Sequence, residues 1–214
     1  MDIIGLDVIG STDEGNRDNV LVIPNMYDEV NRKINENRII ILNEEVNDCI
    51  VDNYVPFMLQ WNYEDLGVPV EERKPIKIFI NSIGGDPDAG QALIDTIILS
   101  KTPVYTIGMG SVMSSAYLIY LSGHVRYSYP NTKYLQHEGE LGVRGSTSKA
   151  RDTMKFYQDN EKDIKNFILS RTKIDSDLYD DNFEREWYMT TKKAKELGVV
   201  QKILGVDAEL DEVL

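Results

Sequence analysis

The sequence predicts an α/β fold in which most strands pair in parallel. Three observations carry this. Short β-branched runs alternate repeatedly with segments of helical periodicity, the pattern of successive strand–helix–strand units. The chain has 214 residues, enough for one domain or one domain with appendages. A chain of that length buries roughly 70% of its unfolded surface, so an apolar core alone can hold it. Finally, 42% of the residues are hydrophobic and 28% charged, with a single cysteine, Cys49, so neither an internal disulfide nor a Cys-rich zinc site supports the fold.

Taken in order, residues 1–30 combine a short apolar stretch, Asp2 to Ile9, with a polar, Gly- and Asn-containing stretch, Gly10 to Asn19. They predict an N-terminal arm, with residues 31–214 as the main domain. Arg38-Ile-Ile-Ile-Leu42 reads as a buried strand, and Cys49 to Trp61 as a helix with apolar residues at 50, 51, 55, 58 and 59. Asn62 to Pro75, with Gly67 and two prolines, is a loop. Lys77-Ile-Phe-Ile-Asn81 is a strand, Ser82-Ile-Gly-Gly-Asp86 a turn, and Ala89 to Ser100 a helix. Pro103-Val-Tyr-Thr-Ile-Gly108 is a third strand, followed by a Gly/Ser turn and an apolar helix to Leu121; Lys133-Tyr-Leu-Gln-His137 is another short strand. Ser148 to Arg171 carries Ala150, Met154, Tyr157, Ile164 and Ile168 at helical spacing, with Ser146, Thr147 or Ser148 as its cap. Asp175 to Glu186 reads as a solvated acidic loop, Thr191 to Leu197 as a short helix stopped by Gly198, and Val199 to Ile203 as a final strand.

Charge and composition exclude several functions. Lys and Arg total 23 and Asp and Glu 36, a net charge of −13. Such an excess of carboxylates repels phosphate backbones and anionic lipid, so no nucleic-acid partner and no membrane adsorption are expected. No apolar stretch of about 18 residues exists to span a bilayer. The first residues carry acids rather than a basic region before an apolar core, so the expected compartment is the cytoplasm. There is no G-x-x-x-x-G-K-[ST], no H-E-x-x-H, no Cys/His cluster, and Gly108-Met-Gly110 lacks the third glycine of a dinucleotide fingerprint. No metal and no cofactor are expected.

In parallel α/β folds chemistry sits on loops leaving the carboxyl ends of strands. Three such loops stand out. Gly84-Gly85 can bring bare backbone N–H groups to a ligand, although such a pair is more often a plain tight turn. Ser111, Ser114 and Ser115 lie between a strand and a helix start. There a hydroxyl meets the positive end of the helix dipole, but serines there are also ordinary caps. Of the two histidines, His124 sits in a polar turn, whereas His137 ends a strand and could be held as a base. One carboxylate of 175–186 could orient it.

Four segments in order resemble the Clp protease proteolytic subunit family. Asn81-Ser-Ile-Gly-Gly85 with Ala89-Gly90 is similar to N-S-P-G-G-x-x-x-A-G, and Gly110-Ser-Val-Met-Ser114-Ser-Ala to G-x-A-A-S-M-G-A. Pro130-Asn-Thr-Lys-Tyr-Leu-Gln-His137 is similar to P-N-S-R-x-M-I-H, and Tyr188-Met-Thr-Thr-Lys-Lys-Ala-Lys-Glu-Leu-Gly198 to F-M-S-A-x-E-A-x-E-Y-G. The resemblance covers roughly residues 38–203 and implies Ser114 as nucleophile and His137 as general base. It implies the N–H groups of Gly85 and Ser115 as the oxyanion hole. The triad acid, counted back from Met189 or forward from Thr172, falls on Asn182. This departs from the family's Asp. An amide can fix a histidine tautomer but gives the imidazolium no charge; in a well-studied triad the Asp-to-Asn change costs about 10⁴ in rate. Asp180 or Asp181 would serve if the loop shifts by a residue. Ile83 replaces the motif's proline, and Asp181 an arginine used between rings.

The resemblance implies a Clp protease/crotonase-like spiral of βαβ units. A handle of about residues 139–171 projects from it, running from a Gly-containing strand at Gly142–Gly145 into the long helix, with Met154 and Ile168 exposed for another subunit. It implies a serine endopeptidase that cuts unfolded polypeptides to short peptides, as a homo-oligomer of heptameric rings stacked in pairs, a tetradecamer. A separate AAA+ unfoldase would supply ATP hydrolysis. Two alternatives stand beside it: a catalytically impaired structural subunit of the same ring, and an acyl-CoA enzyme of the crotonase type.

Overall fold

The computed structural model describes residues 26–139 and 142–214; the expected segments Asp2 to Ile9 and Gly10 to Asn19 lie outside the described residues. The chain divides into two units between Asn37 and Arg38. In the first, α1 (Met26–Glu36) carries the i,i+4 pairs Glu29–Lys33 at 3.0 Å and Arg32–Glu36 at 2.6 Å, surface contacts worth about 0.3–0.5 kcal/mol each.

The second unit is built on one sheet. Its strands are β1 (Ile39–Leu42), β2 (Ile76–Ser82), β3 (Val104–Met113), β4 (Val125–Ser128), β5 (Lys133–Gln136), β6 (Trp187–Thr190) and β7 (Lys202–Ile203). They run β1-β2-β3-β4-β7, all parallel, with β5 added in parallel to the far half of β3 and β6 antiparallel to β5. Strand β2 is buried on both faces, as a covered parallel strand is, with Lys77 beside Phe79 on the second face. Ile76, Ile78 and Ile80 enter the main core with α2 (Asp48–Glu64), α3 (Pro87–Leu99) and α4 (Ser115–Ser122), while Phe79 joins Ile107, Tyr127 and the C-terminal Leu204 and Val213 on the other face.

Strand β3 is longer than the sequence predicts. It continues through the expected Gly/Ser turn because Gly110, at φ 63, makes a bulge that Asn81 fills, its Oδ1 accepting the Ser111 N–H at 2.9 Å. The first half then pairs with β4 and the second with β5. Three further elements differ from expectation. Strand β4 is too short to give a pattern; it is fixed by Arg126, a buried side chain that donates to the carbonyls of Arg171, Gly198 and Val199. The acidic stretch 175–186 is not a loop but holds α6 (Ser176–Phe183), capped by Asp175 and anchored by Tyr179, which is 2% exposed and stacks on Phe183. The final strand is reduced to β7, since Val199 and Val200 turn their N–H groups back to Ala194 at the end of α7 (Thr191–Glu196).

Helix α5 (Thr147–Arg171) matches its predicted span, with Ser146 as cap. Residues 142–146 form no strand: the stretch carries two glycines and pairs with no strand among the described residues. Of the two apolar residues expected to face outward, Met154 is 47% exposed but Ile168 is buried, because the last turns of α5 pack against α4. No helix of the described residues is long and apolar enough to cross a membrane.

The start of β1 is clamped. Arg38 has φ 53, and its guanidinium grips both oxygens of Asp65 at 2.6 and 3.0 Å, while Thr102 donates to the same carboxylate at 2.6 Å. Arg38 holds the Asp65 carboxyl below the usual carboxylate range, with Thr102 adding to the effect. Both side chains are nearly buried, so Asp65→Asn takes the buried partner from Arg38, leaves it only the half-exposed carboxylate of Glu64 at 3.3 Å, and is expected to cost about 3 kcal/mol. Because the folded pKa is depressed, this stabilisation is present above the ordinary Asp value of about 3.9 and is lost as pH falls through the folded value. Urea midpoints of wild type and D65N should therefore converge between pH 5 and the acid limit, about 2; a gap that stays constant refutes the assignment.

Candidate active site

Strands β2, β3 and β5 run in one direction, and the loops at their carboxyl ends meet. After β2 comes Ser82-Ile-Gly-Gly-Asp86, after β3 comes Ser114, and after β5 comes His137.

Ser114 joins β3 to α4 with φ 54 and ψ −128, a conformation rare for a residue with a Cβ. The neighbouring structure over-determines it. Its N–H donates to Leu135 O on β5 at 3.0 Å, and its carbonyl accepts the Tyr117 N–H of α4 at 2.9 Å. Ala116, Tyr117, Ile119 and Tyr120 of α4 are buried, which holds the helix start in position. A residue forced onto such a sharp strand-to-helix turn presents its hydroxyl outward. The other serines are separated from it by geometry. Ser111 lies within β3, and the Ser115 hydroxyl is spent on Gly85 O at 3.2 Å.

The glycine pair is required by close approach. Gly84 and Gly85 have φ 94 and 147. A Cβ on Gly84 would lie 2.7 Å from both Met113 O and Ser114 Cβ and 3.1 Å from Ser115 N; on Gly85 it would lie 2.3 Å from Val46 O. The turn is thus pressed between the Ser114 turn and the segment before α2, whose Val46 N–H donates to Gly84 O and whose Val46 O accepts from the Asp86 N–H. The N–H groups of Gly85 and Ser115 have no acceptor among the described residues, and the first turn of α4 adds its positive dipole end.

His137 follows β5 directly, and its side chain is 22% exposed. It shares with Ser114, Ser115 and Gly85 a cavity of about 300 Å³, walled by Leu118, the Tyr117 ring and, from α5, Ile164 and Ile168. Among the described residues no hydrogen bond joins the Ser114 hydroxyl to His137. Such contacts often tighten only when substrate binds. Two polar atoms of the lining, the Tyr117 hydroxyl and Gln136 Oε1, are buried with no partner, as is the hydroxyl of Tyr179. Burial raises the Tyr117 phenol far above its ordinary value, and burial with nearby Glu161 and Asp180 raises Tyr179 to about 12; both stay protonated. His124 lies elsewhere. Its Nδ1 accepts the Val104 N–H at 3.0 Å, and burial followed by Arg171 lowers its pKa, so it is a structural histidine of the α4–β4 turn.

The residue expected to orient His137 is engaged differently. Asn182 sits on α6, and its Nδ2 donates to Leu178 O at 2.9 Å; among the described residues it makes no hydrogen bond to His137. Asp180 binds Lys165 at 2.6 and 2.7 Å. The carboxylate that reaches His137 Nδ1, at 3.0 Å, is Glu186. It closes the acidic stretch 175–186, from which the sequence offers one carboxylate to orient the histidine, and it lies directly before β6, whose Trp187-Tyr-Met-Thr190 is rich in strand-forming residues.

Comparison with known proteins bears on the whole assembly of residues. The family model described as Clp protease matches residues 24–207. ATP-dependent Clp protease proteolytic subunit 2 of Treponema denticola is 34% identical over 178 residues, 82% of this chain and 86% of the relative. Subunit 1 of Bacillus cereus is 32% identical over 180 residues, 83% of this chain and 90% of the relative. Among solved structures, an asparagine-to-aspartate mutant of ClpP1 from Listeria monocytogenes superposes with a TM-score of 0.70 at 24% identity, covering 86% of this chain and 99% of that one. It shares the fold.

Gly84→Ala tests the close approach directly. The left-handed backbone alone costs about 1–2 kcal/mol, and the 2.7 Å contacts force the nucleophile turn to shift. The expected result is a lower melting temperature together with loss of reactivity at Ser114. A variant that melts and reacts like wild type contradicts the packing described.

Proposed function

The chain belongs to the Clp protease family, and from that premise we propose that Ser114, His137 and the N–H groups of Gly85 and Ser115 carry out peptide-bond hydrolysis. It is a serine-type peptidase, a proteolytic subunit of the Clp protease. The observation that carries the reading is the turn at Ser114. A strained serine, two unengaged N–H groups and a histidine converge on one cavity at the carboxyl ends of three strands.

The chemistry follows from these positions. His137 takes the proton of the Ser114 hydroxyl as Oγ attacks the substrate carbonyl. The oxygen becomes negative and is held by the Gly85 and Ser115 N–H groups, whose energy is greatest in a site that excludes water. Collapse breaks the C–N bond, and His137 returns its proton to the leaving amine. A water molecule, deprotonated by His137, then attacks the acyl-enzyme; collapse frees the acid and restores Ser114. The apolar walls at Leu118, Ile164 and Ile168 suit an apolar stem on the residue before the cut bond, with Gln136 as the polar end of the cavity.

The assembly reading rests on the family and on the exposed half of α5, where Met154 and Phe156 are 47% and 67% exposed. Copies would form heptameric rings stacked in pairs, a cytoplasmic chamber for unfolded polypeptides. With no P-loop of its own, the chain would depend on a separate AAA+ unfoldase. A second reading, a structural subunit of the same ring with weak activity of its own, is favoured by the amide at Asn182, the position counted as the family's acid.

A fluorophosphonate probe separates the two. Mass spectrometry should find the adduct on Ser114 and none in Ser114→Ala, whose peptidase activity should fall by several orders of magnitude, as when other triad nucleophiles are removed. An assembled ring that takes no adduct supports the structural subunit instead.

A further inference from the structure

We propose that Glu186 is the positioning residue for His137, the carboxylate that fixes its tautomer in place of an acid at position 182. The inference rests on the reading of Ser114 and His137 as a catalytic pair, but its geometry stands apart from that reading. His137 Nδ1 and Glu186 Oε1 are 3.0 Å apart. The contact lies one residue beyond the end of a strand ladder. In the antiparallel pair of β5 and β6, Lys133 faces Thr190, Tyr134 faces Met189, Leu135 faces Tyr188 and Gln136 faces Trp187. Continuing the register by one residue sets His137 opposite Glu186. Directly opposed residues in such a pair have Cβ atoms about 4.5–5.5 Å apart, the span a histidine and a glutamate bridge.

Three neighbouring candidates, Asn182, Asp180 and Asp175, are committed elsewhere. Asn182 turns its Nδ2 to Leu178 O within its own helix. Asp180 is clamped by Lys165 and also accepts from Ser176. Asp175 caps α6 through the Leu178 N–H. A carboxylate on Nδ1 keeps the proton there, leaves Nε2 bare to accept from Ser114, and stabilises the imidazolium that forms. Glu186 is 58% exposed, so solvent screens part of this effect. A smaller loss than the roughly 10⁴ of a buried triad acid is expected on removing its charge.

The test uses the full-length protein and two readouts. Solid-state NMR of protein labelled with nitrogen-15 only at its two histidines reports the tautomer directly, with His124→Gln separating the signals. Wild type should show His137 protonated at Nδ1 and bare at Nε2; Glu186→Ala should shift it largely to the Nε2–H form, and Glu186→Asp should restore it in part. In parallel, Glu186→Gln should lower kcat and the rate of Ser114 phosphonylation by about 10- to 100-fold, below the loss seen in a buried triad, with KM within twofold. Glu184→Gln, on an exposed neighbour, serves as the control. An unchanged tautomer in Glu186→Ala overturns the proposal. So does an Asn182→Asp variant that gains activity and keeps it when Glu186 is removed. A tautomer that responds to Glu186 in a protein whose Ser114 takes no probe upholds the positioning role and overturns the peptidase reading instead.

Discussion

The site depends on how closely two stretches of backbone approach each other. The turn after β2 lies against the turn after β3 with no room for a Cβ on Gly84, and against the Val46 segment with none on Gly85. This contact sets the Gly84 backbone directly against the turn that carries Ser114 and Ser115. It also explains why Ser114 tolerates φ 54, a conformation that costs on the order of 1–3 kcal/mol in isolation. The hydrogen bond to Leu135 O, the buried face of α4 and the glycine turn each hold it there. None of the three is a reacting group, yet a shift in any of them moves the nucleophile.

From that contact the remaining geometry is a matter of register. Strand β3 serves two neighbours because of the bulge at Gly110, which redirects its second half toward β5. With Met113 opposite Leu135, the nucleophile leaves β3 near the residue that follows β5 by one position, His137. Strand β6 then sets Glu186 opposite that histidine. A slip of one residue anywhere along β3, β5 or β6 would send the side chains to opposite faces and separate the groups. Ladder hydrogen bonds, which carry no chemistry, therefore decide which side chains meet.

Much of this was legible in the residues, and the exceptions share a cause. The strands at 39–42 and 76–82 and the helices from 48, 87, 115 and 147 announce themselves by apolar runs or by helical periodicity, although the first strand is only half-buried, with Ile41 43% exposed. Ser114, His137 and the glycine pair were legible because motif order ties them to strand ends. What was missed depends on partners distant in sequence. Strand β4 is held by Arg126 reaching carbonyls some 45 to 73 positions away, α6 by the burial of Tyr179 among otherwise acidic neighbours, and the burial of Ile168 by tertiary packing of a helix that reads as exposed. Counting along the chain from fixed landmarks reached Asn182, which shares a helix with Asp180. The expectation of one carboxylate from 175–186 included Glu186 but could not single it out, because its contact with His137 arises only when β5 and β6 pair.

Helix α5 joins the two levels of organisation. Its 25 residues extend about 37 Å, a stiff rod. Near its carboxyl end Ile164 and Ile168 wall the cavity beside Ser114, and Ile168 is 1% exposed. Toward its start Met154 and Phe156 remain in solvent, apolar area that a single chain gains nothing by exposing. Covering those side chains in an assembly would restrain the same helix that shapes the cavity. The strand ends, by contrast, position Ser114, His137 and the glycine turn through hydrogen bonds and close packing within one chain. Ser114 and His137 are thus fixed by the sheet, while the apolar wall of their cavity belongs to the helix that also leaves Met154 and Phe156 in solvent.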